Sequence, residues 1–514
     1  MAETYKKLSH REHILELPDT YVGSVETHEE WRWVLDAESG KMVHRKVPFN
    51  PGFYKLFDEL VVNARDARVR SLTTTGATPV KHIAVKVETS ESGVLSISVE
   101  NDGDGIPIAQ HPEHKIWVPE MIFGHLLTSG NYNKEEEKTV GGKNGYGAKL
   151  VNVFSHEFKL EVRTPAAGQK YTQVWHDHMS VCEKPSIRKD AGKGFVRITY
   201  TPDLTRFLGL VQEEMMAVLR TRTWELAALC GKDVKVTWQG ETVATNTFEK
   251  FVRLFLRTET GGSVLEVCGP RWEVACILTR SLYDEESVGG SGADETGRSI
   301  SFVNGINTRK GGKHVDAVVR SVLGDFCEAA AKKKVPVKPG QIRDCVVFFV
   351  NSTIVNPSFD SQTKETLTTP ANKFGSQFKT DGKLVDGLMK LGLLEDAQAA
   401  LEAKSAKDAK KTDGTKRKTL RGFPKLEDAL WAGAARSGEC TLILTEGDSA
   451  ATSAITGLNV VGRERFGVFP LRGKLLNVKD ISQEKFNKNE ELTAIKAILG
   501  LRQGQKYKDK TSLR

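Results

Sequence analysis

Three glycines in six residues, Gly142-x-x-Gly145-x-Gly147, stand in the stretch KTVGGKNGYGAKL at 138–150, with Lys143 and Lys149 beside them. Glycine lets the main chain take positive φ and lets a ligand come close to it. A turn of this kind aims several N–H groups at one point, which suits phosphate. The apolar residues that follow (Leu150, Val151, Val153, Phe154) predict that the turn opens a helix whose N-terminal end adds positive dipole. Most glycine-rich turns hold no ligand, so the motif gains meaning only from what accompanies it. Upstream, Glu59, Asn63 and Asp66 fall within roughly 60° of one another on a helix, and Glu59 and Asn63 are spaced i, i+4. A carboxylate beside a carboxamide suits a general base next to a metal ligand; a solvated polar face has the same spacing. Asn101 stands in the tight loop ENDGDGIP that follows the strand-like run 94–99 and offers an acceptor to an exocyclic amine, or is an ordinary turn residue. Lys364, in Gln362-Thr363-Lys364, is a point charge suited to a terminal phosphate, or a solvated loop lysine. Glu446 follows the strand-like TLILT, and Arg472 and Lys474 follow GVFPL. An acid at a strand end beside basic residues suits a metal ion and a phosphodiester, or makes a turn with a salt bridge.

These groups need elements to aim them. In 51–68 the residues Phe53, Leu56, Phe57, Leu60 and Val61 recur at i, i+3, i+4, i+7 and i+8, which predicts a helix with its polar face opposite the core. Alternating or apolar runs predict strands at 94–99, 195–200, 234–238, 300–303, 346–350, 441–445 and 467–471. Helical patterns cover 117–127, 210–229, 315–331 and 382–409. Residues 1–25 read as a polar arm ending in a turn at Pro18, and Thr128-Ser129-Gly130-Asn131 has the composition of a mobile lid or of any exposed loop.

The 514 residues suffice for about three domains, and 39% hydrophobic residues can bury sizeable cores. No apolar run is long enough to span a bilayer and the N-terminus has no apolar secretory segment, so no membrane partner is expected. Seven scattered cysteines without a C-x-x-C pair predict reduced thiols in a cytosolic or nuclear protein, and no zinc site. The net charge of +8 is uneven: residues 404–421 hold eight Lys/Arg against two Asp, a net of +6. A basic excess favours polyanions, and the same composition makes a solvated linker.

The order of these features resembles the ATP site of the GHKL superfamily, and more closely the type IIA DNA topoisomerases of eukaryotic or large-virus type. The stretches EHILELPDTYVGSVE, FDELVVNARDA, PEMIFGHLLTSGNY, GGKNGYGAKLVNVFS, SFVNGINTRKGGKHVD, NPSFDSQTKETLT, LILTEGDSA and GVFPLRGKLLNV carry the resemblance over nearly the whole chain. It implies an α+β chain: a GHKL (Bergerat) ATPase sandwich with an N-terminal arm at 1–246, a ribosomal-S5-like transducer at 247–403, a basic linker at 404–437 and the first part of an α/β TOPRIM domain at 438–514. It implies ATP and Mg²⁺ as cofactors, with Glu59 as general base and Asn63 holding the ion. Asn101 would face adenine, and Ser129, Gly130 and Asn131 would lie along the ribose and phosphates, Gly130 departing from the serine common there. Gly142, Lys143, Asn144, Gly145, Tyr146, Gly147, Ala148 and Lys149 would cradle the triphosphate, with Gln362, Thr363 and Lys364 at its γ-phosphate. Lys332, Lys333 and Lys334 would face double-stranded DNA, although basic residues at a helix C-terminus are explained by the dipole alone. Glu446 would bind a second Mg²⁺, and Arg472 and Lys474 would touch the DNA backbone. The resemblance further implies a homodimer closed through the ATPase domain, with Tyr5 on the arm that reaches the partner, and work in a nucleus or a virus factory.

The chain stops before the D-x-D carboxylates and the cleavage tyrosine of that family, so the expectation is ATP hydrolysis without DNA cleavage by this chain alone. The cleavage half would lie on the same polypeptide or on a second one. Two rivals remain at this level: a GHKL clamp of chaperone or mismatch-repair type, and a DNA-binding scaffold indifferent to ATP.

Overall fold

The computed structural model describes residues 7–128, 137–142, 145–258, 262–284, 298–380, 382–411, 413–414, 420, 422–479, 481 and 483–514. They fall into two compact units, Met1–Leu394 and Glu395–Arg514.

The first unit holds two sheets. Helix α1 (His10–Glu16) begins at a capping box, Ser9 accepting from the Glu12 N–H and Glu12 from that of Ser9. Helix α2 (Pro51–Thr73) starts at Asn50, whose side chain accepts from Phe53 N at 3.0 Å while its amide donates to Val25 O at 2.8 Å. The apolar stripe expected of this helix is buried, each of its five residues being 1% exposed or less. It packs in one core with Val85, Ile97, Leu160 and Ile198 of a nine-stranded sheet. That sheet runs Glu241–Thr242, Lys235–Trp238, His82–Thr89, Leu95–Asp102, Phe195–Pro202, Ser155–Thr164, Gln169–His176, with Val181–Cys182 and Ser186–Lys189 on its outer strand. All its pairings are antiparallel except Lys235–Trp238 on His82–Thr89. Helix α3 (Gly147–Val153) follows the glycine turn, as its apolar pattern predicts, and helix α4 (Gln212–Cys230) packs on α2.

The second sheet has five strands in the order Ser263–Cys268, Trp272–Leu278, Val346–Ser352, Ser299–Val303, Ile306–Asn307. Its core joins Phe251, Phe255, Phe302 and Phe349. The helix expected at 382–409 is two helices, Lys383–Leu391 and Leu393–Lys411, because Gly392 takes φ +91° between them.

In the second unit the parallel strands Thr441–Thr445 and Phe466–Pro470 pack against helix Asp448–Val461. The stretch expected as a basic linker differs from that expectation at its far end. Phe423 and Leu426 pack with Phe469, Ala494 and Ile498, and Glu427 pairs with Val468, because these residues have an apolar surface to cover. No helix among the described residues is long and apolar enough to cross a membrane.

Candidate nucleotide site

The polar face of α2 is not solvated. Glu59 and Asp66 are buried, and Glu59 and Asn63 border a cavity of about 570 Å³. It is lined by the end of strand Leu95–Asp102, Asn101 included, and by Gly142, Gly145, Tyr146, Gly147, Ala148 and Lys149 of the glycine loop. Gln362 and Lys364 enter the lining from the loop after the second sheet. Residues about 300 positions apart thus share one cavity wall within the first unit.

Two glycines are required by geometry. Gly145 has φ +69°, and Gly147 lies so close to Glu59 that a Cβ there would land on its carboxylate. Asp66 holds the loop down, accepting from Gly141 N at 3.0 Å and Gly142 N at 2.9 Å. Asn304, at φ +50° in the turn between two strands of the second sheet, donates to Val140 O at 3.4 Å and exchanges two bonds with Ile354. The glycine loop is therefore pinned from helix α2 and from the second sheet.

The charges are arranged around Glu59. Lys55, one turn earlier, is 2.7 Å from Glu59 Oε1, and Lys364 Nζ is 3.9 Å from the same oxygen. Burial pushes the Glu59 carboxyl up, but the ammoniums of Lys55 and Lys364 outweigh it and hold the group below the usual carboxylate range. Lys364 itself is buried, at φ +63°, and donates to Gly141 O at 3.2 Å. Burial brings its ammonium below the usual lysine value despite Glu59. Lys149 is buried as well. It donates to Gly145 O at 2.7 Å and to Thr128 O, and burial alone brings its pKa down to about 8. Behind Glu59, Asp58 accepts from Arg222 Nε at 2.7 Å, and the same guanidinium donates to Gly305 O at 2.7 Å in the second-sheet turn.

Of the residues expected at this site, Ser129, Gly130, Asn131, Lys143 and Asn144 lie outside the described residues, as does Tyr5 on the arm. Thr363 stands apart from the cavity lining. Its hydroxyl bonds Ser361 at 2.7 Å and its methyl lies toward Gly23. Lys332 closes helix Lys313–Lys332, and Lys333 and Lys334 follow it, all three exposed. In the second unit Thr445 is opposite Pro470, so Glu446 and Arg472 lie just past the ends of adjacent parallel strands. Both are exposed, as is Lys474, and Arg472 pairs with Glu490 at 2.8 Å. Sequence reasoning missed Lys55, whose i, i+4 spacing from Glu59 was a usable signal. It noted Asp66 on the right face without its role, and Arg222 and Asn304 carried no local signal.

Two families match the sequence: the histidine kinase-, DNA gyrase B-, and HSP90-like ATPases over residues 50–203, and DNA gyrase B over residues 291–417. The chain is 40% identical over 519 residues to DNA topoisomerase 2 of Saccharomyces cerevisiae, covering 100% of this chain and 36% of that protein. It is 42% identical over 521 residues to DNA topoisomerase 2 of Acanthamoeba polyphaga mimivirus, covering 100% of this chain and 39% of that one. The chain thus spans little more than a third of the length of these relatives. The crystal structure of the ATPase region of Saccharomyces cerevisiae topoisomerase II superposes with a TM-score of 0.68 at 38% identity, over 78% of this chain and 99% of that structure.

Proposed function

The chain belongs to the type II DNA topoisomerase family, whose ATPase region it carries, and from that premise we propose that the cavity takes Mg²⁺-ATP and hydrolyses it to drive passage of one DNA duplex through another. The observation that supports this reading most is the convergence of Glu59, the glycine loop and Lys364 on one cavity from three separate elements.

Asn101 Nδ2 donates to Asp102 O at 2.8 Å, which turns its carbonyl oxygen into the acceptor for the adenine amine. The loop from Gly142 to Lys149 wraps the triphosphate through its N–H groups, and Ser129 and Asn131 serve the ribose and phosphates by resemblance. Asn63 fits Mg²⁺: its carboxamide borders the cavity near the loop, and an oxygen donor of this kind shares a hard cation with phosphates and water. The ion would supply charge neutralisation at the phosphate oxygens. Glu59, held ionised, accepts the proton of the attacking water. Gln362 and Lys364 take the γ-phosphate. When Lys364 turns from Glu59 to phosphate its pull on the carboxylate weakens, so basicity rises as the water comes into place. Loss of the γ-phosphate removes this contact, and the second sheet feels hydrolysis directly.

Lys149 adds a pH dependence. Its ammonium has a pKa near 8 and gains a counter-ion from the triphosphate, which raises that value, so binding takes up a proton above pH 8. Affinity for a non-hydrolysable ATP analogue is expected to hold below pH 8 and to fall about tenfold by pH 9. The Lys149→Arg variant should lose that decline, because a guanidinium does not titrate there. Titration calorimetry at pH 7 and 9 checks both. A pH-independent affinity in the unsubstituted chain would remove Lys149 from the cradle.

The remaining assignments rest on the same premise. Lys332, Lys333 and Lys334 face a passing duplex, Arg472 and Lys474 meet the DNA backbone, and Glu446 contributes to a second Mg²⁺ site that needs further carboxylates. The active form is a homodimer closed through the ATPase region, joined to a cleavage half, in the nucleus of a cellular host or in a virus factory. The gene product at its native length is expected to relax supercoiled plasmid only with ATP and Mg²⁺. Robust ATP hydrolysis with no change of plasmid topology would favour the clamp instead.

A further inference from the structure

Outside the cavity, at one end of the nine-stranded sheet, His156 at the start of strand Ser155–Thr164, His178 just after Gln169–His176 and Asp203 just after Phe195–Pro202 come together. Their ligand atoms lie within 4.8 Å of one another. Asp203 Oδ1 is 3.4 Å from His156 Nε2, and Asp203 Oδ2 is 3.5 Å from His178 Nε2. A tetrahedral zinc ion with bonds of about 2.0–2.2 Å sets its ligand atoms roughly 3.4 Å apart. Each imidazole thus already stands at about that distance from one oxygen of Asp203, His156 from Oδ1 and His178 from Oδ2.

The surroundings hold the ligands in place. His178 Nδ1 lies 3.2 Å from Val153 O and donates to it, which leaves Nε2 with a lone pair aimed at a carboxylate oxygen. A proton on Nε2 or a metal ion can fill the contact between that nitrogen and the carboxylate. Asp203 is buried, and its Oδ1 is oriented by Thr205 N at 3.0 Å and Thr205 Oγ1 at 2.6 Å. Asp177, His178 and Met179 take φ +48°, +61° and +63°, three successive non-glycine residues in the left-handed region. That turn is fixed by Asp177 N on His156 O and His178 N on Ser155 O, both at 3.0 Å, and Asp203 N is fixed on Phe154 O at 2.9 Å. The segments that carry His178 and Asp203 are thus each bonded to the one that carries His156. His156 is exposed and leaves a path for entry.

We propose that His156, His178 and Asp203 form a binding site for a borderline divalent cation, zinc(II) foremost, with water in the fourth position. The two-nitrogen, one-carboxylate donor set suits zinc over magnesium or calcium. Arg206, with Nε 3.3 Å from Asp203 Oδ2, is the competing cation, and the metal displaces it. Arg206 also donates to Leu15 O at 3.4 Å and Arg11 to His178 O at 3.2 Å, so the site forms part of the seat of helix α1. The cysteine spacing gave an expectation of no zinc site. These ligands come from three distant segments, and no spacing rule finds them.

Titration calorimetry of the chain with zinc chloride, after chelator treatment, tests the site. The expected result is one equivalent bound, with His156→Ala and His178→Ala each weakening it at least tenfold. Cobalt(II) substituted for zinc should give a visible d–d spectrum without thiolate charge transfer, which sets this site apart from adventitious cysteine binding. Because His156 is exposed, its alanine variant should melt as the unsubstituted chain does without metal, so a lost signal there is not a folding failure. Zinc affinity unchanged in His156→Ala, a thiolate spectrum with cobalt, or no binding at all would each overturn the proposal.

Discussion

Glu59→Gln is expected to bind ATP with little change and to hydrolyse it about 10²–10⁴-fold more slowly, the range for loss of a general base. Glutamine is the informative substitution. Glu59 is buried against Lys55 at 2.7 Å, and alanine would leave that ammonium with only Asp58, at 3.7 Å, beside it. Removing one partner of a buried pair costs about 3–5 kcal/mol, which would mix a folding defect with a catalytic one. Glutamine keeps the size and still accepts from Lys55, but it does not take a proton from water. A pre-steady-state measurement of phosphate release, with analogue binding in parallel, separates the two effects. Unchanged turnover would take Glu59 out of the base role.

Lys364→Met should lower ATP hydrolysis by about 10²–10³-fold, the scale for loss of one preorganised charge donor at a reacting group. Methionine fills a similar volume, and Gly141 O loses only one donor at 3.2 Å. The informative readout is discrimination. In the unsubstituted chain a non-hydrolysable ATP analogue should bind more tightly than ADP, because only the former reaches Lys364. In Lys364→Met the two affinities should converge. A variant that still prefers the ATP analogue, with turnover intact, would make Lys364 a structural pin for the glycine loop.

Much of this site was legible in the sequence because its signals are local. The i, i+4 spacing of Glu59 and Asn63, the glycine periodicity and the strand before Asn101 each depend on a dozen residues or fewer; the helices formed where the pattern put them, and the strand runs on through Asn101 to Asp102. The same locality says little of Thr363. Motif position puts it beside Lys364, but successive loop side chains diverge, and Thr363 bonds Ser361 instead. The polar face of α2 read equally as solvated, since burial is decided by what packs against it. Only the fold shows that the glycine loop closes over Glu59 and that Asp66 spends its carboxylate on Gly141 and Gly142. Helix α1 went unread as a helix although Ser9-x-x-Glu12 is a capping box. The links that join the two sheets were beyond sequence reasoning. Arg222 meets Asp58 and the Gly305 carbonyl across 164 and 83 positions, and no periodicity encodes such a meeting.

The central claim is that one cavity binds ATP and that Lys364, from beyond the second sheet, senses its γ-phosphate. A crystal structure of the chain with a non-hydrolysable ATP analogue and Mg²⁺ tests it most directly. The triphosphate is expected along Gly142, Gly145 and Gly147, the ion on Asn63, and Lys364 moved from Glu59 onto the γ-phosphate. A nucleotide bound elsewhere, or one bound here with Lys364 still on Glu59 and Gly141, would contradict it.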